Sequence, residues 1–105
     1  MKIVGVAACT VGIAHTYMAQ EAIEKECAKR GYECKVETQG GMGIDNELSE
    51  DEINQADVVI LALAVGMEGE ERFEDKINAG KVVQIDPSEV IKEPERIIDQ
   101  AEKLV

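Results

Sequence analysis

Apolar runs with the length of β-strands alternate along the chain with segments whose apolar residues have helical spacing. The strand-like runs cover residues 2–8, 33–38, 57–63 and 81–85. The third run is apolar at every position after Asp57, which is typical of a parallel strand buried on both faces. Strands that alternate with helices predict a parallel sheet whose strands are joined by crossover helices.

The longest helical segment is predicted at residues 14–30. Ala19, Ile23 and Cys27 lie four positions apart and therefore share one face of this helix. Gly31 follows the last turn as a helix stop signal.

Other helix signals complete the alternation. Ser49 and Glu52 have the spacing of a capping box, which starts a second, short helix. Further helical segments are predicted at residues 70–77, after Asp86-Pro87, and at residues 95–104. We therefore predict one domain over residues 1–105: an α/β fold with a doubly wound, Rossmann-like, four-stranded parallel sheet and helices on both faces.

The second predicted strand has a clean alternation of two side-chain sets. The expected core-facing set is Cys34, Val36 and Thr38, and the expected solvent-facing set is Glu33, Lys35 and Glu37. Such a charged face is typical of an edge strand. The glycine-rich residues 39–43 that follow are predicted to form a loop.

The charge, the apolar runs and the cysteines of the chain exclude several classes of partner and indicate where the protein is located. The net charge of −11 argues against nucleic acid and anionic membranes as partners, because both require a basic surface. The longest apolar run, residues 58–67, is shorter than the about 20 residues that span a bilayer, so we expect no direct membrane insertion. Three cysteines without paired spacing are typical of reduced thiols. We expect a cytoplasmic protein with no cofactor and no metal, since Cys9, Cys27, Cys34 and His15 lack the close pairs of a zinc site.

Cys9 is the candidate reactive residue. It follows the first strand directly, and the start of the next helix is a favourable place for a thiolate or a phosphate. The chain has 22 acidic residues, yet the first is Glu21, so a dianion on Cys9 would meet no repulsion from its own loop. The predicted phosphate-binding residues, the first five through their amides, are Thr10, Val11, Gly12, Ile13, Ala14, His15 and Thr16. His15 has the alternative of a surface or capping residue, and for the Thr16 hydroxyl a hydrogen bond to the helix backbone is the favoured alternative.

Two further loops are expected beside Cys9, because ligands of such sheets bind beyond the carboxyl ends of the strands. These loops are residues 39–45 and 64–69. Residues predicted to line the pocket or to contact a partner are Gln39, Gly40, Gly41 and Met42, although the glycines have the alternative role of turning the chain.

The residues leave three alternatives open. Cys9 has the structural alternative of a small residue buried at a strand end. A stand-alone cysteine phosphatase is disfavoured, because His15 stands where the phosphatase loop Cys-x5-Arg has its arginine. A regulatory or anion-binding module would keep the loop amides without using the thiol.

Arg72 is predicted to form an ion pair with nearby glutamates, in preference to binding a phosphate.

The motifs carry a resemblance to a known family. Residues 9–19, CTVGIAHTYMA, resemble the CPTGIAHTYMA loop of fructose-type enzyme IIB domains of the bacterial sugar phosphotransferase system, with Thr10 and Val11 in place of Pro-Thr. Residues 36–40 and 43–48, VETQG and GIDNEL, resemble the second loop of that family. Residues 56–62 and the pair Arg72-Phe73 resemble its third strand and the helix that follows.

This resemblance implies a phosphotransferase that carries a phosphoryl group during sugar transport. Cys9 would accept the group from a phosphohistidine of an enzyme IIA partner. It would then pass the group to a sugar, fructose or fructose-like, that a membrane enzyme IIC binds. The resemblance also implies a sheet with strand order 2-1-3-4.

Overall fold

A computed structural model of the chain describes residues 1–9, 12–40 and 43–105, with backbone alone for residues 12–14. The described residues form one α/β domain around a single, mostly parallel sheet. Its strands are β1 (Lys2–Ala8), β2 (Glu33–Gly40), β3 (Gly43–Asp45), β4 (Val58–Leu63) and β5 (Val82–Ile85).

The sheet has the order β3-β2-β1-β4-β5. Strand β1 lies between β2 and β4 and pairs in parallel with both, with Gly5 opposite Val36 on one side and Ile60 on the other. Strand β5 extends the sheet in parallel beyond β4.

The predicted count of four strands is wrong, because a fifth strand is present. The four predicted strands do occur in the relative order 2-1-3-4, and the short β3 adds to the outer edge of β2 in antiparallel direction. Residues 39–43 were expected to be loop on account of their glycines. Instead β2 continues to Gly40 and pairs with the returning chain, with Gln39 opposite Ile44 and Gly40 opposite Gly43.

The helices lie where the sequence pattern predicts them, with shifted ends. They are α1 (Gly12–Lys29), α2 (Glu50–Gln55), a 3-10 helix (Glu70–Phe73), α3 (Glu74–Asn78), α4 (Pro87–Lys92) and α5 (Pro94–Glu102). The segment 70–77 begins as a 3-10 helix and only then becomes α-helical. Over the described ranges, none of these helices combines the length and the apolar character needed to cross a membrane.

Helices α1, α4 and α5 cover one face of the sheet. Ile23 of α1, Val90 of α4 and Ile98 of α5 form one buried cluster with Ile3 and Ile60 of the strands. This aliphatic layer fixes the direction of α1, and with it the position of His15 beside Cys9.

The opposite face is covered by α2 and the 3-10 helix. Ile53 and Phe73 pack there against Val4. The predicted capping box at Ser49 and Glu52 is present and starts α2. The expectation of helices on both faces is therefore confirmed.

Candidate functional site

The end of β1 opens into a pocket at the carboxyl edge of the sheet. The pocket has a volume of about 380 Å³. Its walls come from three segments: the end of β1 (Ala8, Cys9), the β2–β3 hairpin (Gln39, Gly40, Gly43, Ile44) and the loop after β4 (Val65, Gly66, Glu68). These are the three segments that the sequence pattern predicts to meet, and Cys9 lies among them.

Cys9 is half-buried, and its Sγ lies 3.2 Å from Nδ1 of His15. A thiol and an imidazole at hydrogen-bond distance form the arrangement in which a base accepts the proton of a nucleophile. The two residues are six positions apart in the sequence, and in the structure Cys9 after β1 and His15 in α1 lie in contact.

His15 also lies near the start of α4. The Asp86 carboxyl caps α4 by accepting hydrogen bonds from the Ser88 hydroxyl at 2.6 Å and the Ser88 N–H at 2.9 Å. These bonds, and after them an electrostatic interaction with the His15 side chain, lower the pKa of Asp86 below its ordinary value. The carboxyl end of β5 thus places an anion near the imidazole.

Thr16, the next residue of α1, is 2% exposed. In the part of the chain that the structure describes, its hydroxyl oxygen has no hydrogen-bond partner. A buried hydroxyl of this kind is rare and is normally satisfied by a partner, a water or a ligand. Its place one turn into α1 is compatible with the predicted donor to a phosphate.

The remaining predicted phosphate-binding residues divide into two groups. Gly12, Ile13 and Ala14 form the first turn of α1, which begins two residues earlier than predicted and three residues after Cys9. Thr10 and Val11 lie outside the described residues.

In the predicted pocket loop, Gln39 and Gly40 line the cavity from the end of β2. Gly41 and Met42 lie outside the described residues.

The hairpin that carries the pocket wall is joined to α1, because the Tyr17 hydroxyl donates a hydrogen bond to Asp45 at 3.0 Å. This bond raises the pKa of Tyr17.

The expectation that Glu37 faces water is wrong. Its side chain is 0% exposed, because α2 and the 3-10 helix cover the face of β2 on which it lies. Arg72 of the 3-10 helix donates Nη1 to Glu37 Oε1 at 2.8 Å and Nη2 to Oε2 at 3.0 Å. The predicted ion pair of Arg72 exists, but its partner is Glu37 of β2 in place of a neighbouring glutamate.

All five N–H donors of Arg72 are engaged, so its guanidinium is not available to a phosphate without breaking these bonds. Beyond Glu37, the donors reach the carbonyl oxygens of Gly69 at 2.9 Å, Leu48 at 2.8 Å and Glu68 at 3.2 Å. Burial alone would raise the pKa of Glu37, but the hydrogen bonds from Arg72, the Leu48 N–H and Gln39 hold that pKa below its ordinary value.

Cys27 and Cys34 belong to the packed interior, as their phases predict. Cys27 is fully buried, and Cys34 packs against the same cluster. The hydrogen bond with Cys27, together with burial, raises the pKa of the Cys34 thiol. Across residues 1–9, 12–40 and 43–105, no three His, Cys, Asp or Glu side chains are grouped so that they could hold a metal ion.

Comparison with known proteins decides the family. The family model described as "PTS system, Lactose/Cellobiose specific IIB subunit" matches residues 4–100. The "PTS system fructose-like EIIB component 2" of Escherichia coli strain K12 is 44% identical over 102 residues, which cover 96% of this chain and 92% of that protein. The chain belongs to the enzyme IIB family of the sugar phosphotransferase system. Enzyme IIB components are phosphotransferases of sugar transport, and the relatives of this IIB chain carry the fructose-like name.

Two further similarities bear on how such domains are arranged. A domain of the fructose-specific IIABC component of Borrelia burgdorferi superimposes with a TM-score of 0.86 at 47% identity, covering 97% of the IIB chain and 93% of that domain. The "Fructose-like PTS system EIIBC component" of Escherichia coli strain K12 is 41% identical over 100 residues, which are 95% of the IIB chain and 20% of that protein. The same fold therefore occurs both as a separate chain and inside larger proteins.

Proposed function

We propose that this IIB chain carries a phosphoryl group on Cys9 between an enzyme IIA and a sugar bound by an enzyme IIC. The observation on which the proposal depends is the position of Cys9, with its sulfur in a pocket at the carboxyl edge of the sheet and 3.2 Å from His15. Family membership supplies the class of reaction, and this geometry supports the choice of residue.

In the first step the sulfur of Cys9 attacks the phosphorus of a phosphohistidine on enzyme IIA. The P–N bond breaks and an S–P bond forms, while the thiol proton passes to Nδ1 of His15 and the released histidine nitrogen of enzyme IIA takes up a proton from solvent. In the second step a hydroxyl of the sugar attacks the same phosphorus, so that the S–P bond breaks and an O–P bond forms. The proton of the sugar hydroxyl passes to solvent, and the released Cys9 thiolate recovers its own proton from Nδ1 of His15.

The transferring group needs positioning and stabilisation of its charge, more than bond-making chemistry from the protein. We assign this task to the amides of residues 10–14 and to the side chains of His15 and Thr16. The first turn of α1 begins at Gly12, and a helix N-terminus favours an anion through its free N–H groups and its dipole. The buried Thr16 hydroxyl supports this assignment, because a phosphoryl oxygen would satisfy it.

The proposed partners are an enzyme IIA and a membrane-bound enzyme IIC, and the proposed location is cytoplasmic. The names of two relatives support the proposed partners, since one protein is named EIIBC and another IIABC. Each of these two proteins is thus named for a IIC component as well as for its IIB component. We propose fructose or a fructose-like sugar as the final acceptor, following the names of the curated relatives.

Phosphorylation by a charged enzyme IIA tests the proposal. The wild-type chain is expected to gain about 80 Da, which is one phosphoryl group in place of a proton, when it is mixed with a charged fructose-type enzyme IIA. Cys9→Ser is expected to lose this label, and the matched variant Cys34→Ser is expected to keep it. His15→Ala is expected to reach the same stoichiometry at least tenfold more slowly, because the thiol then lacks its neighbouring base.

Two results would contradict the proposal. One is a Cys9→Ser variant that gains the label with the wild-type stoichiometry. The other is a wild-type chain that takes no label from any charged enzyme IIA but hydrolyses an aryl phosphate by itself, which would favour the phosphatase alternative.

A further inference from the structure

Two walls of the Cys9 pocket are joined by a buried network of polar side chains. Gln39, at the end of β2, belongs to the hairpin wall, and Glu68 belongs to the wall after β4. The Gln39 amide nitrogen donates to the Glu68 carbonyl at 2.9 Å, and the Glu68 N–H donates to the Gln39 amide oxygen at 2.8 Å. This reciprocal pair of bonds holds a loop backbone against a strand end.

The orientation of the Gln39 side-chain amide is set by a hydrogen bond to Glu37, two residues earlier in β2. The amide nitrogen of Gln39 also donates to Glu37 Oε2, at 2.6 Å. Glu37 is ionised and is held by the forked guanidinium of Arg72. Because an ionised carboxylate only accepts hydrogen bonds, the Gln39 atom that faces it must be the amide nitrogen. The amide therefore has one orientation, in which its oxygen faces the Glu68 N–H.

Arg72 holds the same loop at two further points. Its Nη2 donates to the Glu68 carbonyl, and its Nε donates to the Gly69 carbonyl at 2.9 Å. Gly69 has φ of 73°, and a Cβ at that position would lie 2.6 Å from the Arg72 Nε. The loop conformation and the guanidinium position therefore depend on each other.

We propose that Gln39 and Arg72 are positioning residues for phosphoryl transfer, which act by fixing the loop of residues 64–69 against the pocket that holds Cys9. This inference rests on the proposed function, since it concerns the same site. The contacts that assign this role to Gln39 and Arg72 are those with the Glu68 and Gly69 backbone. Their effect is to keep the third wall of the pocket in place, because small displacements of groups around a reacting centre have large effects on rate.

The test compares Gln39→Met, Arg72→Lys and wild type in single-turnover phosphorylation by a saturating charged enzyme IIA. Methionine keeps the length of the side chain but removes all three amide hydrogen bonds. Lysine keeps the charge beside Glu37 but loses the fork that reaches Glu68 and Gly69. For both variants we expect a rate at least tenfold lower, with an unchanged final stoichiometry of one label per chain.

The stoichiometry separates positioning from folding. A chain that is irreversibly misfolded would take no label and would lower the final stoichiometry. A reversibly unfolded fraction would lower the rate only in proportion to its population, and circular dichroism of each variant before the reaction measures that fraction. The matched controls are Gln55→Met and Arg96→Lys, whose polar contacts are exposed and lie away from the pocket. We expect both controls to react within twofold of wild type.

Hydrogen exchange gives a readout that does not depend on activity. The Glu68 amide of the wild type is expected to be protected, and the protection is expected to fall at least tenfold in Gln39→Met. Exchange of this amide in the wild type at the rate of an unstructured peptide would overturn the inference even if both variants failed to fold. Folded variants with transfer rates within twofold of wild type would overturn it as well.

The two proposals fail in different ways. A wild-type chain that accepts no label from any donor contradicts the proposed function, and the positioning role falls with it. An active wild type beside fully active Gln39→Met and Arg72→Lys variants contradicts the positioning role alone.

Discussion

At the scale of single residues, Gly5 shows how closely the central strands approach each other. It lies in the middle of β1, opposite Val36 of β2 and Ile60 of β4. A Cβ on Gly5 would come within 2.9 Å of the Ile60 carbonyl oxygen, which itself belongs to the parallel ladder. Only a hydrogen atom fits there without moving one strand away from the other.

We therefore expect Gly5→Ala to lower the free energy of unfolding by about 1–3 kcal/mol, the usual range for overpacking a core. Urea denaturation monitored by circular dichroism measures this difference. The matched control is Gly66→Ala, where a Cβ would meet open space and φ is not in the left-handed region. We expect the control to stay within about 0.5 kcal/mol of wild type. A Gly5→Ala variant as stable as the control would contradict this prediction, because β1 and β4 would then accommodate the added Cβ without a loss of stability.

At the scale of secondary-structure elements, α2 is started by its reciprocal cap. The Glu52 N–H donates to the Ser49 hydroxyl at 3.2 Å, and the Ser49 N–H donates to Glu52 Oε1 at 3.0 Å. The Lys35 ammonium of β2 also contacts the Glu52 carboxylate, at 2.9 Å. One carboxylate thus caps the helix and joins it to the sheet.

This arrangement predicts a pH dependence of stability. The Ser49 N–H, and after it Lys35, hold the pKa of Glu52 at about 2, below its ordinary value of 4.5. A lowered carboxyl pKa contributes stability above pH 4.5 that is lost as the pH falls through 2. We expect wild type to lose more stability than Glu52→Gln between these two pH values, as measured by urea denaturation at a series of pH values.

The matched control for this experiment is Glu50→Gln. It removes the same charge from the first turn of α2 but does not touch the bonds to Ser49 and Lys35. We expect its pH profile to run parallel to that of wild type. Parallel profiles for wild type and Glu52→Gln would contradict the predicted role of Glu52.

At the scale of the whole molecule, one arginine adds polar contacts between the end of α1 and α5, which also pack together through apolar residues. Arg30 donates to the buried Glu26 carboxylate at 2.8 Å and to Asp99 of α5 at 2.9 Å. It also lies 3.1 Å from Glu102, to which Tyr32 donates a hydrogen bond. The contacts with Asp99 and Glu102 join residues that are about 70 positions apart in the chain.

We expect Arg30→Met to lower the free energy of unfolding by about 1–3 kcal/mol, because it leaves Glu26 buried without its cation. Arg96→Met is the matched control, since its pairs with Glu89 and Glu93 are exposed and are expected to contribute about 0–1 kcal/mol. Thermal and urea unfolding of both variants measure the difference. Equal losses for the two arginines would mean that burial of Glu26 adds nothing to the pair.

The fold was largely predictable because periodicity is a local property. Alternation of strands and helices, the Ser49 cap and the Asp86-Pro87 helix start all depend on residues a few positions apart. The fifth strand was not predicted, because the glycines at residues 40, 41 and 43 are typical of a loop. The pairing of Gln39 with Ile44 depends on the register between two strands, which the glycine pattern does not contain. The start of α1 at Gly12 was missed for a similar reason, since glycine is a poor helix former.

Part of the site was predictable for the same local reason. Cys9 directly after the first strand, and the two loops that meet it, follow from the rule that carboxyl ends of parallel strands share one edge. The Glu37–Arg72 pair does not follow from any spacing, because its members are 35 positions apart. The alternation of β2 predicts that Glu37 faces solvent, and only the packing of α2 and the 3-10 helix shows that this face of the strand is covered.

The sequence by itself therefore determined the class of fold, the family and the candidate nucleophile, because each is encoded in short stretches of residue type and spacing. Tertiary structure alone decided that Glu37 is buried, that Arg72 is fully engaged, and that Gln39 holds the Glu68 loop. The physical reason is that burial and hydrogen-bond partnership depend on which distant segments pack together, and a buried charge is stable only where such a segment supplies its partner.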